Sequence, residues 1–406
     1  MNKKNILLFT DCPFFAGCEN VISNLLNDEE FTKKFNITFT YRYSKKYETG
    51  LNLKIQNSNF ILTKLKLLNQ ISYGNYNMLI KLFLFVPLFI NKYLSILVNT
   101  IILYFKFKIV KYDILLINNG GFPGSYSAYA AVFAARLNKI NKIYYIVNNQ
   151  AQNYLHPIRW IDFLLDKIII YNVSKFITGS DNSGKRLSRI LNFENSKVIT
   201  INNGVQIPLF NSSSEDIRIK YNFPINKILV LVGANLEKRK GHIFLLEAIC
   251  ELKKEYYKDL NMHFIFAGDG AERYNINKYI SDNDLESEVT MLGHINDIFP
   301  IINAVDILVL PSIGHEDFPY IILESMALSK AIIGTKVAGI PEQIIDNLNG
   351  YLVEPGCPRD LKIALQKFIE NKTLIKQFGI EGKKIFDDKY FVKKIVKKYI
   401  NLFKAD

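Results

Sequence analysis

Cysteine is scarce in this 406-residue chain, and the four present (Cys12, Cys18, Cys250 and Cys357) show neither metal-ligand spacing nor a disulfide framework. That usage points to a reducing compartment. No nucleic-acid motif and no solenoid-type repeat is found. The opening MNKKNILLF has two lysines, but its apolar run is too short for a secretory leader and no cleavage pattern follows. It reads as a first β-strand. Asp282-Asn283-Asp284 lies in a polar stretch rather than after an apolar strand, so it reads as a surface loop and no metal site is expected. A long uninterrupted hydrophobic run is also missing. Residues 79–108 come nearest, but Lys81, Pro87 and Asn91-Lys92 divide them into pieces too short for a bilayer crossing. Two readings stay open for this segment. It is an apolar helical hairpin dipping into one leaflet with its lysines at headgroup level, or it is a set of buried helices packed on a sheet.

The length exceeds one ordinary domain, and nearly half the residues are hydrophobic, enough for two cores. The net charge of +13 is uneven: residues 1–215 hold 25 Lys and Arg against 12 Asp and Glu, whereas residues 216–406 hold 26 against 26. A basic first half suits an anionic partner, and the absence of nucleic-acid motifs favours a membrane surface. Lysine-rich codon usage is the plainer alternative, although it does not account for the asymmetry.

Along the chain, strand-like runs alternate with helical patterns. Lys4–Thr10 leads through a turn containing Gly17 and Glu19 into a helix with Val21, Leu25 and Leu26 on one face. Asn36–Tyr43 alternates as a strand, and residues 50–75 are polar without a strong period. Tyr112–Asn118, helix Ser125–Leu137 and strand Lys142–Val147 follow, with Asn148 and Asn149 where an open α/β sheet places ligands. His156 nearby reads as a surface residue. In the second half, Lys227–Val232 runs through Arg239-Lys240-Gly241 into helix Ile243–Lys254, and Met262–Ala267 ends at Gly268-Asp269-Gly270. Such β–loop–α units, repeated in both halves, predict parallel α/β sheets.

The stretch 305–342 is the most informative. Apolar Val305–Leu310 ends at Pro311-Ser312, Glu316 follows in a loop, Phe318-Pro319 precede helix Tyr320–Leu328 carrying Glu324, and a second apolar run leads to Gly339-Ile340-Pro341-Glu342. Pro319 suits the first helical turn, and the amides of Tyr320 and Ile321 face whatever fills the loop. A loop acid and a helix acid at this spacing are commonplace alone. Together with Pro-Ser, Phe-Pro, Glu-Ser-Met-Ala and Gly-Ile-Pro-Glu, they resemble the donor site of retaining glycosyltransferases of family four, also called group 1, which have the GT-B fold.

That resemblance implies two Rossmann-like parallel-sheet domains facing a central cleft, with a C-terminal helix crossing back to the first domain. The expected division is 1–205 for the acceptor side, 206–225 as linker, 226–385 for the nucleotide-sugar donor, and 386–406 for the crossover helix. Glu316 takes the catalytic place beside the donor sugar. Glu324 receives the ribose hydroxyls. Lys240, the Tyr320 and Ile321 amides and the Gly17 turn face the leaving diphosphate, with Arg239, Gly268, Gly270, Phe318 and Pro319 completing the donor site. Glu19, Asn148 and Asn149 fall on the acceptor or sugar side. The sequence departs from the family pattern at Asn235, where an arginine is usual, at Asn148-Asn149, where a histidine is usual, and at Ala16, where a glycine is usual. The implied reaction is metal-independent transfer from a UDP- or GDP-linked sugar to a glycan or lipid-linked acceptor, in surface polysaccharide or lipopolysaccharide synthesis. The implied setting is cytoplasmic, peripheral on an anionic membrane, without nucleic acid. A nucleotide-sugar epimerase of the same fold and a catalytically silent binding protein remain alternatives.

Overall fold

The computed structural model describes residues 3–15, 17–68, 85–154, 157–210, 212–256 and 260–405. Ala16, His156, residues 69–75 of the polar stretch and residues 79–84 of the apolar one lie outside them. The described residues form two compact units that divide between Asn202 and Asn203, with residues 396–406 returning to the first.

In the first unit, β1 (Asn5–Thr10), β2 (Asn36–Arg42), β3 (Ile61–Leu65), β4 (Ile114–Asn119), β5 (Lys142–Val147), β6 (Lys175–Thr178) and β7 (Val198–Thr200) form one parallel sheet in the order β3-β2-β1-β4-β5-β6-β7. Every residue of β4 is buried, as a parallel sheet covered on both faces requires. Strand β3 falls in the stretch expected to be polar and without period. It is the sheet edge, and most of its residues are exposed, so its sequence carries no burial pattern.

Helix α1 (Asn20–Asn27) buries Val21, Leu25 and Leu26. The apolar segment is neither a hairpin nor a set of short pieces over the described residues. It is one continuous helix, α2 (Phe85–Phe107), running through Asn91-Lys92. Helix α3 (Tyr126–Leu137) buries a run of alanines, which lets α2 pack closely on it. Two further helices, α4 (Pro157–Ile161) and α5 (Phe163–Asn172), complete this layer.

A buried polar network explains why α2 does not break at its lysine. The Asp162 carboxylate accepts hydrogen bonds from Lys92 Nζ (2.5 Å), Tyr93 (2.8 Å), Tyr126 (2.6 Å) and Arg159 (3.0 Å). Asp166 accepts from Tyr129 (2.5 Å), Tyr154 (2.7 Å) and Arg159 (2.6 Å). Burial raises the Asp162 carboxyl, but Lys92 and the tyrosine hydroxyls outweigh it and hold the group below its usual value. Among the described residues, no helix is long and apolar enough to cross a membrane.

The second unit holds β8 (Ile228–Gly233), β9 (Met262–Ala267), β10 (Val289–Gly293), β11 (Ile307–Leu310), β12 (Ala331–Thr335) and β13 (Gly350–Val353), parallel in the order β10-β9-β8-β11-β12-β13. Residues 206–225 do not behave as a free linker. They contain α6 (Ser214–Lys220), held by a Ser213/Asp216 capping box, and bury Ile217 and Phe223 in the second core. The other helices that position the site are α7 (His242–Tyr256) and α8 (Tyr320–Ala327). The last helix, α9 (Val392–Ala405), places Phe403 in the first unit, its ring 6.1 Å from Phe31 and 5.4 Å from Tyr144.

Candidate functional site

Four loops at the carboxyl ends of β8, β9, β11 and β12 build the site in the second unit, the edge where open α/β sheets place their ligands. The loop after β8 reaches Lys240 and then turns at Gly241, whose φ of 71° lies in the left-handed region. A Cβ there would overlap the Pro311 carbonyl oxygen, so this close approach of the two loops requires glycine. Ile313 N–H donates to Arg239 O at 2.8 Å, and Thr335 Oγ1 donates to Ser312 O at 2.6 Å, fixing the loop after β11 from both sides.

These constraints bring Lys240, Arg239 and Glu316 together. Glu316 is only 6% exposed. Its Oε1 accepts from Lys240 Nζ and from Ser312 Oγ at 2.8 Å, and Arg239 Nη1 lies 3.5 Å away. Arg239 also donates to Glu237 Oε2 at 2.6 Å and to the His315 carbonyl at 3.1 Å. Asn235, in the place of the family's arginine, is exposed and donates to Glu237 Oε1 at 3.4 Å. Ser312 has no assigned role from sequence. The Pro-Ser pair marks its position, but only the folded loop shows its hydroxyl on Glu316.

Pro319 is the N-cap of α8 rather than a residue of its first turn, and its carbonyl accepts from Gln343 Nε2 at 3.0 Å. Tyr320 and Ile321 open the helix, and Glu324 follows one turn on, half-buried. Phe318 departs from its expected role as a donor contact. Its ring is 1% exposed and packs edge-on against Tyr390, so it anchors the loop from the core side. Gly268 is buried and Gly270 exposed, in a turn pinned by Leu236 N–H donating to Asp269 O at 3.1 Å. His242 opens α7 beside this cluster. It is buried, neither ring nitrogen has a hydrogen-bond partner among the described residues, and burial lowers its pKa to about 4, so the ring is neutral.

Gly17, Glu19, Asn148 and Asn149 belong to the first unit, at the carboxyl ends of β1 and β5. Gly17 is exposed, and a Cβ there would meet open space. Glu19 is fully buried, which does not fit direct contact with a substrate. It accepts from Thr10 Oγ1 (2.8 Å), Asn118 Nδ2 (2.9 Å) and Tyr47 Oη (2.6 Å). Burial pushes its carboxyl up, against the pull of these donors. Asn148 Nδ2 donates to Asn118 Oδ1 at 2.7 Å, and Asn149 Oδ1 accepts from Gln150 N–H at 2.8 Å. All four cysteines are free, although the Sγ atoms of Cys12 and Cys18 stand 3.6 Å apart, an approach their spacing does not reveal.

Known proteins resemble this chain in sequence and in fold. The family described as Glycosyl transferases group 1 matches residues 213–385. An uncharacterised glycosyltransferase of Methanocaldococcus jannaschii is 28% identical over 249 residues, 60% of this chain and 62% of that protein. The lipopolysaccharide core biosynthesis glycosyltransferase LpsE of Rhizobium meliloti is 27% identical over 185 residues, 46% of this chain and 52% of LpsE. The matches thus span between half and two thirds of these relatives. Among solved structures, HepE of Anabaena in complex with UDP has a TM-score of 0.77 at 18% identity, covering 99% of this chain and all of HepE. That likeness extends over both units and shows the GT-B fold.

Proposed function

We propose that this chain, whose residues 213–385 match the Glycosyl transferases group 1 family, is a retaining, metal-independent glycosyltransferase taking its sugar from a nucleotide-sugar. The observation that carries the proposal is the convergence of Lys240, Arg239 and Ser312 on the buried Glu316, next to the N-terminus of α8. Cations and helix-start amides stabilise the negative charge that builds on a leaving diphosphate. Lys240 and the Tyr320 and Ile321 amides take that role. Glu316 contacts the donor sugar, where its carboxylate opposes the positive charge developing at the anomeric carbon. Ser312 and the two cations hold it in place before substrate arrives. Glu324 receives the ribose hydroxyls from the second turn of α8.

The donor base is read as uracil by analogy with HepE, solved with UDP, and guanine is the alternative. LpsE acts in lipopolysaccharide core synthesis by its name, which favours a surface glycan or lipid-linked acceptor here. The acceptor is assigned to the first unit, and an anionic membrane surface on the cytoplasmic side is the proposed partner, in keeping with the basic excess there.

The test is a mass-spectrometric screen of UDP- and GDP-sugars for hydrolysis and transfer. Wild type should turn over one donor, and Lys240→Ala should lose ~10-fold or more, about 1.4 kcal/mol. Wild-type rates in that variant would contradict the site. Donor turnover without any acceptor, yielding an isomeric nucleotide-sugar, would favour an epimerase.

A further inference from the structure

We infer that the outward faces of α2 and of α4–α5 form one surface that docks on an anionic lipid bilayer. The inference rests on the membrane-partner reading above and assigns it to particular residues. Along α2, Val86, Ile90, Leu94, Leu97, Ile101 and Phe105 are all at least half exposed and recur every three or four residues, so they line one face of the helix. The opposite face is already used: Ser95, Ile96, Asn99, Leu103 and Phe107 are buried. Among the described residues, the outer stripe is therefore surplus to packing. Across α4–α5 a second stripe repeats the pattern, with Trp160 (67% exposed), Leu164, Ile168 and Tyr171. These residues were not singled out by the sequence.

The two stripes are held together. Lys92 and Tyr93 of α2 both bind Asp162, between α4 and α5, while Tyr126 and Tyr129 of α3 bind Asp162 and Asp166 from below. The network is buried and satisfied at its carboxylates, so α2 and α5 cannot move independently without breaking it. Two exposed apolar stripes tied together by one buried network are unusual on a molecule that has no use for them.

Charge selects the occupant. Residues 85–111 contain four lysines and no Asp or Glu, and Lys106, Lys108 and Lys111 at the end of α2 are exposed. The two acids of α4–α5 and their junction point inward, into the network. An apolar stripe edged by lysines matches an interface of acyl chains below anionic headgroups. A second copy of this chain would set the same lysines against each other, which disfavours that occupant.

Trp160 is the only tryptophan in the chain, which gives a direct readout. The full-length protein is titrated with vesicles of phosphatidylcholine alone or mixed with phosphatidylglycerol, with and without brominated acyl chains. Emission should shift to the blue and be quenched by the bromolipid only when phosphatidylglycerol is present. Leu97→Asp/Ile101→Asp, and separately Leu164→Asp/Ile168→Asp, should each weaken partitioning by about ten-fold or more at unchanged melting temperature. Lys106→Glu/Lys108→Glu should keep the apolar stripe and lose the preference for anionic lipid. Unchanged Trp160 emission with anionic vesicles would overturn the inference. So would binding that survives both stripe variants, or a dimer that the Leu97→Asp/Ile101→Asp change dissolves while wild type ignores vesicles. Nucleotide-sugar turnover is assayed without vesicles in the same variants. Vesicle binding without turnover rejects the transferase and leaves the surface standing, and the reverse result does the opposite.

Discussion

The two units share one architecture and use their polar residues in opposite ways. In the second, cations and a carboxylate meet in loops at the sheet's carboxyl edge, where a ligand can exchange partners with them. In the first, Glu19, Asp162 and Asp166 are each enclosed by donors and fully buried, and α2 and α4–α5 turn apolar stripes outward. The same fold thus supports a charged loop cluster in one half and a polar-stapled apolar layer in the other. Asp11 follows the first pattern: it accepts from Arg42 at 3.0 Å and from Ser125 at 2.5 Å, and burial still raises its carboxyl.

The largest effect that tests this contrast is on stability. Asp166→Ala removes an acceptor from buried Arg159, Tyr129 and Tyr154, and breaking such a pair costs about 3–5 kcal/mol. Amide hydrogen exchange should show protection lost through α2, α3 and α5 while the 226–385 region keeps its own. Equal loss in both would mean that the units do not differ in the way described.

A change of intermediate size belongs to the second unit. Gly241→Ala adds a Cβ against the Pro311 carbonyl at a left-handed φ, a strain of about 1–3 kcal/mol. Nucleotide affinity should fall with stability, because Lys240 is displaced from the Ser312–Glu316 loop. If calorimetry finds affinity intact in a destabilised variant, Lys240 is not positioned by this turn.

The pH dependence gives a comparable effect that needs milder conditions. His242 is held neutral by burial, with a folded pKa of about 4 against an ordinary 6.5. The unfolded chain therefore takes up the proton first. The stability contributed by the neutral ring is complete above pH 6.5 and is lost as pH falls towards 4, by at most about 3 kcal/mol. His242→Phe should flatten urea-unfolding stability over that window, and an unchanged pH slope would remove His242 as its source.

How much of this was legible in the sequence follows the same division. The loops of the candidate site in the second unit could be read because their residues are local: Pro311-Ser312, Glu316 and Glu324 lie on one βαβ unit, and glycines mark the close approaches. The first unit resists reading because its decisive contacts are distant in the chain. Lys92 looks like a helix break until Asp162, 70 positions away, is seen to receive it. Glu19 reads as an acceptor- or sugar-side residue, and only the fold shows Tyr47 and Asn118 closing around it. Strand β3 escapes because an exposed edge needs no hydrophobic alternation. Phe318 misleads in the other direction, since its motif is local but its ring serves the core.

The second unit is proposed to grip the nucleotide through Glu324, and calorimetric titration of UDP against wild type and Glu324→Ala tests this most directly. Glu324 sits half-buried on the second turn of α8. Affinity should be about ten-fold weaker in the variant, roughly 1.4 kcal/mol. Equal affinity in the two proteins would contradict it.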